Sequence, residues 1–391
     1  DINKITTSFD SDNIGIFSLF NLFSGGALSK VSIFSLGIMP YISSSIIIQL
    51  LSTIWDPLLQ LSKEGNIGKK KISQYTRYLT VLLSFFQAIG MAKFILNATD
   101  SNFNLLLCYT TIIVTLVSGT MFLMWIGEQI TENGVGNGIS LLIFTSIVSS
   151  IPRIIVSTLE KARQGEIYIF SLFVMLFIFG IVIFFVVYME GSQRRITINY
   201  ARRQQGGKMY APHVTYLPLK INISGVIPPI FASSLVLFPT TLIQWFDNKS
   251  SLLNSIKILL LPGKPLYLFL FGLSIVFFSF FYTSLIFNHK DTADNLKKSG
   301  GFITGIRPGE NTAFYIKNIT FRLTIIGSIY LVLVSLLPEF LVLFTNVPFY
   351  FGGTSLLIVV VVVIDFISQI QTRLISYKYD SLIKRSKFNF F

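Results

Sequence analysis

The chain has 391 residues and a formal net charge of +13, and 52% of it is hydrophobic against 13% charged. Its mean hydropathy of +0.67 excludes a soluble globule, because a water-borne fold would need several separate cores of nearly pure hydrocarbon. With one cysteine, Cys108, and two histidines, His213 and His289, a zinc or redox-metal centre cannot be assembled from those ligands.

About 20 apolar residues cross the roughly 30 Å hydrocarbon layer as a helix. In chain order, nine stretches qualify as spans: 31–55, 78–96, 105–126, 139–158, 168–189, 221–243, 265–287, 321–344 and 354–371. The fourth is the weakest, since Pro152 and Arg153 fall towards one end. The expected class is therefore an all-α polytopic membrane protein. Counting Lys and Arg in alternating connections places 22 of the 31 on one side, in 63–77, 127–138, 190–220, 288–322 and 372–391. By the positive-inside rule these segments and the carboxyl terminus face the cytoplasm. An odd number of spans then puts Asp1 outside. Residues 1–30 lack a signal-peptide pattern, so a further span is expected ahead of Asp1.

Absent chemistry narrows function further. "EGNIGKKK" (64–71) lacks the phosphate-loop spacing, and "GVGNG" (134–138) is not preceded by a strand, so both read as helix connections. Ion-coupled transporters keep charges at the membrane midplane. Here the nearest carboxylates to the spans, Glu128 and Asp365, fall towards their cytoplasmic ends. No catalytic residue, metal site or cofactor is expected, and the chain reads as a passive conduit rather than an enzyme.

Several long motifs carry a resemblance. They are "FSGGALSKVSIFSLGIMPYISSSIIIQLL" (23–51), "KKKISQYTRYLTVLL" (69–83), "GTMFLMWIGEQITENGVGNGIS" (119–140) and "RRITINYARRQ" (194–204). With them go "PLKINISGVIPPIFASS" (218–234), "FNHKDTADNLKKSGGFITGIRPGENTA" (287–313) and "PFYFGGTSLLIVVVVVIDF" (348–366). From about residue 17 to the tail the chain resembles the bacterial-type members of the Sec61-alpha/SecY family of protein-conducting channel subunits. The resemblance implies ten spans in two pseudo-symmetric halves, arranged as a clamshell around a pore, with nine present here and the first missing. It implies an external segment with a plug in 1–30, an amino-terminal half in 31–159, a carboxyl-terminal half in 160–371 and a cytoplasmic tail in 372–391.

Site residues come from the same resemblance. Ile38, Ile42, Ile139, Ile143, Ile230 and Ile358 match the family's pore ring, in which branched aliphatic side chains dewet the channel yet yield around a polypeptide. On their own helices Ile38 and Ile42, and Ile139 and Ile143, lie four apart and so share a face. Taken singly, each could equally be a lipid-facing or core isoleucine. Phe20, Phe23, Gly25 and Gly26 match the plug, the glycine pair serving as a hinge. Ser43, Gln87 and Asn222 match the polar cluster of the lateral gate, where uncharged side chains favour the closed seam.

The loops 190–220 and 288–322 each carry six basic residues. Some of that charge sets topology or meets anionic lipid. Arg202, Arg203, Lys208 and Arg307 lie well out in the loops, and the resemblance implies docking of the ribosome, through rRNA phosphates, and of the motor ATPase SecA. It implies SecE and SecG as small partner subunits, preprotein signal sequences and membrane lipid as further partners, and the bacterial cytoplasmic membrane as location, with the plastid thylakoid as the alternative. At the tip of the first loop the chain has Gly207-Lys208 where relatives carry two arginines, a smaller docking charge. The rival readings are a small-solute secondary transporter, which needs a midplane charge, and a scaffold that does not seal.

Overall fold

The structure, a computed structural model, describes residues 24–28, 30, 32–97, 105–165, 169–200, 204, 205, 208, 209, 214–245, 264–345 and 353–388. In chain order these form α1 (Met39–Ile54), α2 (Asp56–Lys63), α3 (Asn66–Asn97), α4 (Leu105–Asn133), α5 (Gly138–Arg163) and α6 (Ile169–Gly191). Then come β1 (Gln193–Tyr200), β2 (Gln204–Gln205), β3 (Lys208–Met209), β4 (Val214–Lys220), α7 (Ile227–Trp245) and α8 (Pro265–Ile286). The chain ends with α9 (His289–Lys298), β5 (Gly301–Phe302), α10 (Glu310–Thr345) and α11 (Gly353–Phe388).

Each of the nine predicted spans falls on its own helix. Among the described residues, six stretches satisfy length and hydropathy for crossing a membrane outright, and the bent pair α1–α2 makes a seventh if taken as one span. The molecule is a multi-pass membrane protein. The bend of 96° falls at Trp55, just before Asp56-Pro57, where a proline has no N–H to return to the preceding turn. Prolines also sit in the first turn of α1 and α8, where a missing N–H costs nothing.

Boundaries differ from the sequence expectation in physically readable ways. The first span becomes helical only at Met39, after a run of turns over 33–38. The sixth becomes helical only at Ile227, because Gly225 has φ +63° and breaks the helix path. Helices α3, α4, α10 and α11 run past the apolar stretch, since polar residues propagate a helix once it is nucleated. Pro152 leaves α5 in one piece through Arg163, as prolines in apolar helices are often tolerated.

The expected loop 190–220 is largely sheet. β1 and β4 pair antiparallel from Gln193–Lys220 to Asn199–Val214, and β5 joins the far edge of β1 through Asn199–Phe302 and Tyr200–Gly301. Ile196, Leu219, Ile303 and Leu323 close a small apolar core beneath the sheet. Segments that read as two separate loops are thus one body resting on α10.

Packing runs α1–α3–α4–α5 among the first helices and α7–α8–α10–α11 among the later ones, with α6 against α10 and α11. The two sets meet where α1 and α3 touch α7 and where α5 touches α11. The main apolar core lies across both meeting places.

Candidate functional site

All six isoleucines of the expected ring fall in that core. Ile38, at the start of α1, and Ile42 face it with Ile143 on α5, Ile230 on α7 and Ile358 on α11, all buried, and Ile139 packs against that core half-buried. Ile358 has no exposed surface. Four helices remote in sequence therefore bring branched aliphatic side chains into one cluster, which singly is what a core isoleucine would also do.

Of the expected plug, Phe20 and Phe23 lie outside the described residues. Gly25 and Gly26 adopt φ +67° and +81°, a region closed to most side chains. A Cβ on Gly25 would lie 3.0 Å from Ser149 Oγ and 3.3 Å from the backbone of Ser146. The segment 24–28 thus rests on α5, about a turn beyond Ile143. Leu28 is buried, and Ser35 Oγ donates to the Ala27 carbonyl at 3.2 Å, tying the segment to the approach to α1.

The three expected seam residues are not hydrogen-bonded to one another among the described residues. Ser43 and Gln87 are half-buried on α1 and α3, and the buried Gln87 Oε1 accepts no hydrogen bond. Asn222 points elsewhere. Its amide donates to Glu190 Oε1 at 2.7 Å and to the Gly225 carbonyl at 3.1 Å, while its oxygen accepts from Ser224 Oγ at 3.1 Å. The serine that ties α1 to α3 is Ser44, which pairs with Thr80 at 2.5 Å and donates to the Thr76 carbonyl at 3.2 Å.

Between α1 and α8 the bridging pair is one the sequence reading passed over. Tyr282 Oη donates to Gln49 Oε1 at 3.0 Å. Gln49 lies seven residues after Ile42, hence on the same helix face and about 10 Å further along. The Tyr282 ring meets Phe231 edge to face at 5.4 Å, and Phe231 meets Phe278 at 5.7 Å. An uncharged amide inside "SIIIQLL" was the available clue.

Of the expected docking residues, Arg202 and Arg203 lie outside the described residues, and Lys208 is described by its backbone alone, paired with Gln205. Arg307 is exposed in the turn between β5 and α10. That turn is shaped by Gly305 at φ +82° and Gly309 at φ +109°, and Thr312 Oγ1 donates to the Arg307 carbonyl at 3.0 Å. The sequence reading missed these strands; the alternation of "RRITINY", whose Ile196 and Ile198 are both buried, was the available clue. The carboxylates noted in sequence have outward partners. Arg77 grips Glu128 with two bonds of 2.9 Å, and Lys220 approaches Asp365 at 3.7 Å.

Apolar helices long enough to cross a membrane, joined through one apolar core and carrying a basic sheet at one end, define a mostly α-helical polytopic membrane protein. The profile of the SecY family matches residues 32–367, and the chain belongs to that family. It is 55% identical over 380 residues to the protein translocase subunit SecY of Buchnera aphidicola subsp. Schizaphis graminum, covering 96% of this chain and 87% of that one. To the protein translocase subunit SecY of Escherichia coli K12 it is 53% identical, covering 95% and 85%. Among solved structures, one described as "The structure of a protein conducting channel" superposes with a TM-score of 0.63 at 18% identity, covering 91% of this chain and 85% of that one. One of Sec61 in a canine ribosome-channel complex superposes at 0.60 and 17%, covering 91% and 85%. At such identities these structures speak for the fold alone.

Proposed function

We propose that this chain is the pore subunit through which unfolded preproteins cross, and membrane segments enter, the bacterial cytoplasmic membrane. The single observation that carries the reading is the meeting of Ile38, Ile42, Ile139, Ile143, Ile230 and Ile358 in one core, in a chain of the SecY family. Packed aliphatic side chains make no hydrogen bonds to water or ions, so the cluster works as a gasket. It yields to an extended polypeptide because dispersion contacts are individually weak and non-directional.

In this reading α1–α5 and α6–α11 are the two halves of a clamshell. The segment around Gly25 and Gly26 is the plug, and α1 and α3 part from α7 and α8 to release an apolar segment sideways into lipid. The sheet and the Arg307 turn face the cytoplasm, where phosphate-rich rRNA or SecA docks on their basic residues. SecE and SecG complete the complex, and energy comes from translation, SecA or the membrane potential. No step asks this chain for bond-making chemistry.

The complete subunit, reconstituted with SecE and SecG in vesicles, is expected to import a signal-bearing preprotein only when SecA and ATP are present. Import indifferent to both would defeat the mechanism. Saturable uptake of a small solute against a proton gradient would favour the transporter reading instead.

A further inference from the structure

Glu190 has no role in the sequence reading, yet it is a buried carboxylate. It stands at the end of α6, a helix whose Phe173, Phe177, Phe184 and Tyr188 are exposed along its length, and is itself 6% exposed. An acidic side chain withdrawn from water next to the hydrocarbon layer is costly and tends to be kept where it is used. Its hydrogen-bond partner is Asn222, thirty-two residues on. Those residues enclose the whole β1–β4 hairpin, so the bond closes the hairpin at its root.

The root is fastened from several sides. Ser192, just after Glu190, accepts from the Ile221 amide at 3.3 Å, next to the first ladder pair, Gln193–Lys220. On α10 a Cβ at Gly327 would stand 3.0 Å from the Ile221 carbonyl and 3.6 Å from Asn222 Cα, so the backbone at the root lies directly on that helix. Leu219 is packed with Leu323 of α10. Ser224, which donates to Asn222, reaches Ser279 of α8 at 3.4 Å.

The path from the root into α7 is short. Both amide protons of Asn222 are used, one on Glu190 and one on the Gly225 carbonyl. Val226 and Ile230 belong to the main core, and the Ile230 amide bonds back to the Val226 carbonyl at 3.4 Å. From the clamp to the isoleucine of α7 is therefore eight residues, a short bend over 222–226 followed by the first turn of the helix. The bond from the Asn222 amide to Glu190 Oε1, at 2.7 Å, is the shortest of the hydrogen bonds named at the root.

We infer that Glu190 is a positioning residue that clamps the hairpin root to the start of α7, so that a displacement of the hairpin is carried to Ile230. This rests on the reading of the hairpin as a docking post and of Ile230 as part of the gasket. It adds the mechanical link between them.

The test uses the complete complex with SecE and SecG in vesicles, comparing wild type with Glu190→Leu, Glu190→Gln and Gly327→Ala. Glu190→Leu removes the acceptor, and Gly327→Ala presses on the Ile221 carbonyl with Glu190 intact. Both are expected to bind SecA within about twofold of wild type, while import per bound SecA falls about tenfold in Glu190→Leu, which leaves the buried Asn222 amide without its acceptor, and by less in Gly327→Ala, which only displaces the root. Glu190→Gln keeps a carbonyl acceptor for Asn222 and is expected to lose less than about threefold. Unchanged import in Glu190→Leu would overturn the clamp, as would equal loss of binding and import in both variants, which would mean that the residue only folds the hairpin. A second readout does not depend on transport. An antibody fragment against the hairpin tip should alter amide-exchange protection over 226–231 in wild type but not in Glu190→Leu. The same response in both sinks the clamp even if import proceeds, and a wild-type response without any import leaves the clamp standing while the channel reading fails.

Discussion

Helices α1–α5 meet helices α6–α11 at two places of different chemistry. Where α1 faces α7 and α8, aliphatic and aromatic side chains touch, and among the described residues the gap is bridged by the uncharged hydrogen bond from Tyr282 to Gln49. Where α5 and the turn before it face α11, Arg373 donates to the Gly134 carbonyl at 2.6 Å. There a Cβ on Gly136 would be in ordinary contact with Phe366 and Gln369. An apolar face loses little when lipid replaces its partner, since lipid tails are as apolar as the side chains, and one neutral bond adds little more. A guanidinium on a backbone carbonyl is a directional, charge-assisted contact. In the function proposed above, the first junction is the one that parts and the second the one that holds.

Experiments can break or sharpen that contrast, and the largest effect belongs to the shared core. Replacing Ile42, Ile143, Ile230 and Ile358 together with serine removes aliphatic packing worth about 2–5 kcal/mol per site on the scale of Ile→Ala changes. Resting ion conductance of the reconstituted complex should rise at least about tenfold. Conductance equal to wild type would mean that the cluster is merely a core. Gly25→Val comes next. It forces a β-branched residue to φ +67° against Ser149 and the Ser146 backbone, a cost of about 1–2 kcal/mol from the backbone alone. Brief channel openings at rest should become more frequent, and an unchanged single-channel record would detach the segment 24–28 from gating.

Smaller effects bear on the two junctions directly. Tyr282→Phe deletes the bond to Gln49 while keeping the ring on Phe231. Bonds of this kind are worth about 0.6 kcal/mol on average in a membrane, so export through a weakened signal sequence should rise about threefold and export through a strong one should not change. A matching rise for both signals would point to general loosening. Arg373→Ala should be smallest, costing about 1 kcal/mol or less because the bond is exposed. It should lower the thermal stability of the complex slightly without moving the signal threshold. A shift of that threshold as large as that of Tyr282→Phe would erase the distinction between the junctions.

Much of this was legible in the residues and some was not. Uninterrupted apolar runs locate their helices without help, because a backbone in hydrocarbon must satisfy its own hydrogen bonds. The helix starts at Met39 and Ile227 were missed because apolar content says nothing about local backbone direction, which the turns of 33–38 and Gly225 set. The sheet was missed because its alternation spans only a few residues in a basic stretch that reads first as a solvated loop. Asn222 was assigned to the seam by resemblance, yet its amide is taken by Glu190, a partner thirty-two residues away. Glu190 had no role in the sequence reading, since burial is a property of neighbours and not of the residue.

The order of apolar and basic segments by itself determined a bundle of membrane helices and which of their ends carry positive charge, because solvation of side chains and backbone is decided locally along the chain. Tertiary structure alone decided that isoleucines from four helices share one core, that two basic loops fuse into one sheet, and that Gln49 meets Tyr282. Those are contacts between residues up to hundreds of positions apart, and they exist only once the helices have packed.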